Sequence, residues 1–236
     1  MSIIKDSVLD IASQVGGSSP GAGTITDKTR FDNNLTITGM TWTQLPTGLW
    51  VMEFDGTNDY AIKLNPSFAK DLRGTISLWL KPANGTSDIL CYSKASTGNV
   101  DEFRFQRAGG SGVEYFRLHA QVNYATIYTL DTGAGTAVDG TWYNFVITSN
   151  GSATLFYLAG ASTPITVTAG VANGTWFGDF VTDANQLTIG ALARSNSYIS
   201  DFEGQIALVR LFSYAITPAQ VRAHYHSQKW LFGVAS

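Results

Sequence analysis

The sequence predicts an all-β protein made of two antiparallel sheets packed face to face. From residue 27 onward, apolar and polar side chains alternate with the two-residue period of strands. In Gly74–Lys81, Ile76, Leu78 and Leu80 share one face and Trp79 lies on the other. Such segments follow one another without intervening helices, which a parallel sheet would need as crossovers. Two packed antiparallel sheets are therefore the simplest way to bury the apolar faces.

The strands are predicted in order from this alternation and from the turns between them. The predicted strands cover residues 50–54, 60–64, 74–81, 87–93, 101–107, 113–122, 141–149, 153–158, 185–190 and 204–212. The dipeptides that punctuate them favour tight turns: Asp55-Gly56, Asn84-Gly85, Asp139-Gly140, Asn150-Gly151 and Asn173-Gly174. Asn150-Gly151 predicts a hairpin, with a loop of two or more residues.

The two ends of the chain differ from this pattern. The amino end carries apolar residues with the spacing of one helix face: Val8, Ile11, Ala12 and Val15. A Gly- and Ser-rich stretch over 16–23 follows, so residues 1–26 are interpreted as a tether segment or a short attachment helix, or as a frayed tail, before a domain at 27–236. At the other end, Thr217 and Pro218 predict the start of a helix. The apolar tail 229–234 either folds back onto the sandwich or docks on a partner.

Composition excludes several classes of protein. The chain has 236 residues, of which 44% are hydrophobic and 14% charged, so it can build a large core and is not globally disordered. A net charge of −3 argues against nucleic-acid binding. The single cysteine, Cys91, excludes an internal disulfide and is interpreted as a buried apolar residue. We predict neither a conventional signal peptide nor a membrane span.

Three segments occur in an order that resembles a known family. They are Phe54–Tyr60 (Phe-Asp-Gly-Thr-Asn-Asp-Tyr), Thr75–Pro82, and Phe202–Phe212 followed by Ile216–Val221. Together they resemble the laminin-G-like, concanavalin A-like lectin/glucanase jelly roll over residues 27–226. The chain departs from that family at Ala207-Leu208, where the family often has Asp-Glu, and at Ala159-Gly160, where it often has Asn-Gly. The first departure removes carboxylates that could support a site near the last strand.

The resemblance implies two kinds of site, a metal site and a glycan site. Related domains often bind calcium through acidic loop residues, and the candidate ligands here are Asp55, Asn58, Asp59, Asp201 and Glu203. The alternative is that the first three only form tight turns. Sugar recognition combines a stacking aromatic ring with planar polar groups, and the candidates are Trp79, Trp176, Arg194, Asn196 and Tyr198. The alternative for the aromatic residues is ordinary packing.

Catalysis is not expected. The resemblance to glucanases implies a Glu-x-Asp-x-x-Glu strand, but here the pattern starting at Glu53 and Asp55 ends in Asn58. Asp101 and Glu102 are interpreted as solvated strand-end acids. The three histidines do not make a metal site, because His224 and His226 point to different helix faces. We therefore predict no catalytic residues.

Three functions are carried forward from the sequence. The first is a non-enzymatic module that binds a glycan or a glycosylated surface, with calcium as the one cofactor considered. The second is a structural decoration or cement protein without a sugar ligand, and the third is a glycoside hydrolase. The missing signal peptide and tether-like amino end suggest a phage or viral surface component, cytoplasmic before assembly, with other virion proteins or a second copy of the chain as partners. A secreted bacterial lectin is the alternative setting.

Overall fold

The computed structural model describes residues 6–11, 15–94, 101–110, 112–166, 173–180 and 184–234. Its strands are β1 (Ser7–Ile11), β2 (Thr24–Ile25), β3 (Leu35–Thr38), β4 (Thr41–Gln44), β5 (Trp50–Asp55), β6 (Tyr60–Leu64), β7 (Gly74–Asn84), β8 (Ser87–Ser93), β9 (Glu102–Ala108), β10 (Tyr115–Val122), β11 (Ala125–Asp131), β12 (Tyr143–Ser149), β13 (Thr154–Leu158), β14 (Gln186–Ile189), β15 (Leu192–Arg194), β16 (Ser197–Ile199) and β17 (Glu203–Phe212). One α-helix, α1 (Pro218–Gln228), and short 3-10 turns at Phe177–Asp179 and Lys229–Phe232 complete the described secondary structure.

The strands form two large antiparallel sheets, as predicted. The seven-stranded sheet has the order β13-β12-β7-β17-β5-β4, with β1 paired to β17. The eight-stranded sheet has the order β11-β10-β9-β8-β14-β6-β3-β2. Their inner faces share one core, in which Phe145 of the first sheet lies 5.2 Å from Phe105 and 4.5 Å from Phe116 of the second, between ring centroids. The alternation of side chains along the strands thus produces a β-sandwich.

The predicted hairpin at Asn150-Gly151 is confirmed, with a four-residue loop. Ser149 pairs with Thr154, so residues 150–153 make the turn between β12 and β13. The Asn150 side-chain oxygen accepts hydrogen bonds from the backbone N–H groups of Ser152 and Ala153, both at 2.9 Å. This side-chain-to-backbone bonding is the property that makes Asn a favoured turn residue.

The helix predicted at the amino end is wrong for the residues that the structure describes there. Ser7–Ile11 form strand β1, and all five residues are buried. Leu9 and Ile11 enter the main core, and the Asp10 carboxylate accepts from Arg210 Nε at 2.9 Å. The spacing of Val8 and Ile11 suits a helix, but pairing with the last strand overrides that local preference. This part of the predicted tether belongs to the sandwich; residues 1–5 and 12–14 lie outside the described part.

The carboxyl end folds back over the outer face of the seven-stranded sheet. Helix α1 begins as predicted: Gln220 N–H donates to the hydroxyl of Thr217, and Thr217 N–H donates to the Gln220 side chain. Phe232 then stacks on Trp79 with ring centroids 4.1 Å apart. Leu231 and Phe232 are each only 8% exposed, so the apolar tail covers its own domain.

Candidate functional site

The outer face of the eight-stranded sheet carries a cluster of polar side chains on β9, β10 and β11. Along β10, Phe116 and Leu118 point into the core, so Arg117 and His119 point outward. Neighbouring strands follow the same alternation, which places outward polar residues side by side. We call this cluster the polar face, and its half-exposed members are Arg104, Arg117, His119, Gln121, Thr129 and Arg194.

Arg104 and Arg117 are each held by a carboxylate on the adjacent strand. Arg104 donates from Nε and Nη2 to the two oxygens of Asp88, at 2.9 and 2.7 Å. Arg117 lies directly across the β10–β11 pair from Asp131 and donates to its two oxygens, each at 2.7 Å. Arg117 Nη2 also donates to the Tyr115 hydroxyl at 2.8 Å. These two-point contacts fix the planes of both guanidinium groups.

Arg194 reaches the same face from the hairpin formed by β15 and β16. Its guanidinium makes a two-point contact with Glu102, which is fully buried at the start of β9. The hairpin is also fastened to the sheet by Ser93, whose hydroxyl donates to the Ala193 carbonyl at 3.0 Å. The interpretation of Glu102 as a solvated acid is therefore wrong, because the hairpin covers it. Asp101 is likewise buried.

His119 lies in the middle of the polar face and is uncharged at neutral pH. Its Nδ1 lies 3.0 Å from the Thr129 hydroxyl, and its Nε2 lies 3.1 Å from the Gln121 side-chain oxygen. Because that amide oxygen only accepts, Nε2 carries the proton and Nδ1 accepts from Thr129. Burial lowers the pKa of His119 from its usual 6.5, more strongly than the Gln121 hydrogen bond raises it.

The hairpin also positions the predicted Asn196 and Tyr198. Ser195 and Asn196 connect β15 to β16 with φ values of 51° and 59°, the geometry of the two-residue turn that matches strand twist. Asn196 is exposed at this turn. The Tyr198 ring stacks on Tyr60, with centroids 3.9 Å apart and an angle of 16° between the rings. The pair forms a half-exposed aromatic platform beside the hairpin.

The two predicted tryptophans do not contribute to an exposed sugar site. Trp176 and Trp79 are each 1% exposed. Trp176 packs edge-on against Phe103 at 5.2 Å inside the main core. Trp79 does lie on the outer face of its sheet, as its alternation predicts, but the C-terminal tail covers it and its Nε1 donates to Gln228 at 2.8 Å. Packing is thus the role of both side chains.

The predicted calcium ligands meet at one rim of the sandwich, where they form turns. Glu203 pairs across strands with Asp55. The Asp55 carboxylate accepts from Thr57 N–H at 2.7 Å, and the Asp59 carboxylate accepts from Asp55 N–H at 2.8 Å. Asn58 adopts a left-handed φ of 58°, which suits Asn in a turn.

The arrangement of these acids does not form a metal centre. Burial raises the pKa of Asp59, with smaller contributions from the charges of Asp55 and Asp201. One oxygen of Asp201 is buried without a hydrogen-bond partner. Across the described ranges, no three His, Cys, Asp or Glu side chains converge closely enough to hold an ion. Calcium binding at this rim therefore stays a prediction, and the contacts of Asp55 and Asp59 are those of a turn.

Glu53, the candidate of the hydrolase hypothesis, faces an amide. Its carboxylate accepts from Gln205 Nε2 at 2.5 Å, and Gln205 is its cross-strand neighbour on β17. A retaining glycosidase needs a second carboxyl group close to the first. On β17, the position next to Glu53 holds an amide in its place.

A cleft of about 610 Å³ at one end of the sandwich is a second location that the sequence did not indicate. Arg107 lies at its base, 1% exposed, and its Nη2 contacts Asp139 at 2.5 Å and Glu114 at 3.9 Å. Its Nε and Nη1 atoms have no hydrogen-bond partner, but both lie beneath the surface. Because these two atoms are buried, the polar face is the better candidate for binding a ligand.

Of the polar face, only Arg194 is among the residues predicted from the sequence, although the alternation of side chains along its strands could have indicated more of them. In Glu102–Ala108 and Tyr115–Val122, long polar residues alternate with aromatic and aliphatic ones. That alternation shows which residues point outward. It does not show that the two strands and the hairpin are neighbours, which is what unites Arg117 with Arg194.

The fold places the chain in a structural class, and its sequence then places it in a family. Two antiparallel sheets around a shared core, with one short C-terminal helix, define a jelly-roll β-sandwich of the lectin type. A laminin-G family model described as the Concanavalin A-like lectin/glucanases superfamily matches residues 55–222. The chain belongs to this superfamily, as the resemblance implied. No curated protein sequence matches it significantly.

Several solved structures share the fold. The CBM40 domain of the Ruminococcus gnavus IT-sialidase, bound to α2,3-sialyllactose, has a TM-score of 0.57 at 16% identity, covering 93% of this chain and 99% of that one. Domain 4 of the arabinanase AbnA from Geobacillus stearothermophilus, in complex with arabinotriose, has a TM-score of 0.53 at 17% identity, covering 80% and 86%. The binding domain of botulinum neurotoxin serotype D has a TM-score of 0.61 at 14% identity, covering 94% of this chain. The chain spans about half of that toxin domain, 53% of its length.

Among the described helices, none is both long and apolar enough to cross a membrane.

Proposed function

We propose that the protein is a non-enzymatic module that binds glycans through the polar face and the adjoining Tyr60–Tyr198 platform. The observation that carries this proposal is a group of planar polar side chains on β9, β10 and β11, together with a half-exposed aromatic pair that is anchored on the same hairpin as Arg194. Sugar rings expose both hydroxyl edges and C–H faces, so recognition needs both kinds of surface. The sugar complexes of two structural neighbours support the proposal by analogy of fold.

The test is a glycan array probed with the wild-type protein and with His119→Ala and Tyr198→Ala variants. Both changes remove a ring from the proposed surface, so we expect each to reduce the signal about tenfold or more. The matched control is His226→Ala, because His226 is exposed on α1, which packs against the other sheet. Binding that survives both variants would contradict this location. A blank array would favour a structural role within an assembly.

The proposal that the module is not an enzyme has its own test. The protein is incubated with the glycans it binds, and released reducing sugar is measured. We expect no release, because the cross-strand neighbour of Glu53 on β17 is the amide of Gln205. Release that Glu53→Gln abolishes would establish the hydrolase alternative.

The setting of the module is proposed from the sequence alone. We propose a phage or viral surface component, in which several copies on one particle would raise avidity. The exposed Trp230, 57% accessible at the base of the C-terminal tail, is a surface that a neighbouring virion protein or a second copy could cover. Detection of the protein by mass spectrometry in purified particles tests this setting, and its secretion as a free protein would contradict it.

A further inference from the structure

Each arginine on the polar face forms an ion pair with an acidic residue. The face and its immediate support contain three arginines and three acids, joined as Arg104–Asp88, Arg117–Asp131 and Arg194–Glu102. Each pair is held by two hydrogen bonds from Nε and Nη2 to the two carboxylate oxygens. Two-point contacts of this kind are the geometry that a guanidinium would otherwise offer to a ligand carboxylate.

The acids in these pairs are too buried to release their arginines. Asp88 and Glu102 are 0% exposed and Asp131 is 8% exposed. A ligand carboxylate that captured Arg117 would deprive the largely buried Asp131 carboxylate of its ion pair with Arg117. Removing one partner of a buried ion pair is strongly unfavourable, because the remaining charge keeps its desolvation penalty without compensation. To bind one of these arginines, an acidic sugar therefore has to displace a buried carboxylate that cannot become solvated in exchange.

The fourth potential cation on the face, after the three arginines, is His119. Burial holds its pKa below the usual 6.5, and its two ring nitrogens are satisfied by Thr129 and Gln121 as a neutral ring. It therefore supplies no positive charge to an anionic ligand at neutral pH.

Neutral hydroxyl groups meet no such obstacle. The pairs use only Nε and Nη2 of each arginine, so Nη1 of Arg117 keeps two N–H donors. Carboxylate oxygens can accept further hydrogen bonds from sugar hydroxyls without losing their arginine. A hydroxyl both donates and accepts, so it can bridge an arginine and an acid that are already paired.

Building on the proposed function, we infer that the polar face selects neutral glycans and discriminates against glycans that carry a terminal carboxylate. This distinguishes the chain from its structural neighbour that is bound to sialyllactose. The specificity follows from the pairing of every arginine on the face, rather than from the fold, which the two domains share.

The first experiment compares matched glycans on one array, each oligosaccharide being present in neutral form and with a terminal sialic acid. We expect about a tenfold or greater preference for the neutral forms, and little change with added salt. Equal or stronger binding of the sialylated forms through the polar face would overturn this inference and leave the proposed function standing. Binding of neither form would overturn both.

The second experiment releases one arginine. Asp131→Asn keeps the shape of the side chain but removes the charge that pairs with Arg117, so the ratio of sialylated to neutral binding should rise about tenfold. Asp32→Asn is the matched control: it makes the same charge change in an exposed loop, at a left-handed φ of 54° that Asn tolerates. Thermal unfolding verifies that both variants fold. An equal ratio in the two variants would overturn the inference.

Discussion

At the residue scale, His224 shows how burial becomes a pH dependence. His224 lies on α1, is 5% exposed and packs against the ring of Phe212. Arg210 lies close enough to repel the protonated form of His224. Burial first and this repulsion second lower the pKa of His224 to about 4. The unfolded chain therefore takes up the proton near 6.5, whereas the folded protein takes it up only near 4.

The consequence is a loss of stability in mild acid. The contribution of His224 is fully present above pH 6.5 and is lost as the pH falls to about 4, by up to about 3 kcal/mol. His224→Phe removes the titration, so its free energy of unfolding should rise relative to wild type over that interval. Urea unfolding at a series of pH values measures the difference in unfolding free energy between this variant and wild type. Other titrating groups, such as Asp10, are present in both proteins and cancel from that difference. A difference that does not change with pH, as we expect for the control His226→Phe at an exposed position, would contradict the burial of His224.

Gly190 sets the position of the hairpin that carries Arg194 and Tyr198. It has φ +91°, and an added Cβ would lie 2.4 Å from the Phe54 ring. Gly190→Ala should therefore cost about 3 kcal/mol, from the left-handed backbone and the overpacking together. Gly85→Ala is the control, because Gly85 also has a positive φ, +62°, but its Cβ would meet nothing within 4 Å. Chemical denaturation should place Gly85→Ala near 1 kcal/mol; equal losses in the two variants would refute the steric argument.

At the scale of elements, the central strands and the helix could be predicted because their local signals agree with their tertiary positions. Gly74–Asn84 alternates and is a strand, and Thr217-Pro218 caps and starts a helix. Strand β1 could not be predicted, because its partner β17 lies about two hundred residues away in the sequence. Trp79 could be placed on the outer face of its sheet but not under the C-terminal tail, since Phe232 is also distant from it in the sequence.

The residues of the candidate site also differ in whether local sequence could predict them. Tyr198 and Asn196 could be selected from their local loop composition. Arg117 and Asp131 could not, because each is an ordinary outward-facing strand residue until the β10–β11 pairing joins them. The prediction for Trp176 is wrong because its polar neighbours suggest an exposed loop, whereas the chain turns there and the side chain fills the core.

Substitutions in and near strand β1 test whether the amino end belongs to the sandwich. Leu9 is fully buried between β1 and the main core, so Leu9→Ala should lower the free energy of unfolding by about 3 kcal/mol. Val15→Ala is the control, because that side chain is 54% exposed, and it should change stability by less than about 0.5 kcal/mol. Equal and small effects would mean that this segment is a detachable tether after all.

At the scale of the whole molecule, the acidic rim determines how the domain responds to calcium. Asp55 and Asp59 already accept backbone N–H groups, and the acids within the described ranges do not gather around one point. We therefore expect added calcium to leave the melting temperature unchanged. A calcium-dependent rise that Asp201→Asn abolishes would contradict this expectation and restore the metal site.

In the part of the chain that the structure describes, the outer faces of the two sheets are covered to different extents. The outer face of the seven-stranded sheet is covered in part by α1 and the C-terminal tail, through Trp79, Leu231 and Phe232. Within the described ranges, the β15–β16 hairpin packs over β8 and β14 on the outer face of the other sheet and reaches Glu102 at the start of β9, while Arg104, Arg117, His119 and Thr129 stay half-exposed. The hairpin thereby closes one side of the polar face and supplies Arg194 to it.

The most direct test of glycan binding at the polar face is NMR titration of the isotope-labelled protein with a neutral oligosaccharide that binds on the array. We expect the amide shifts to concentrate on β9, β10, β11 and the β15–β16 hairpin, with Arg117 and Tyr198 among them. Shifts concentrated instead around Arg107 and the end cleft, or an absence of shifts at saturating sugar, would contradict it.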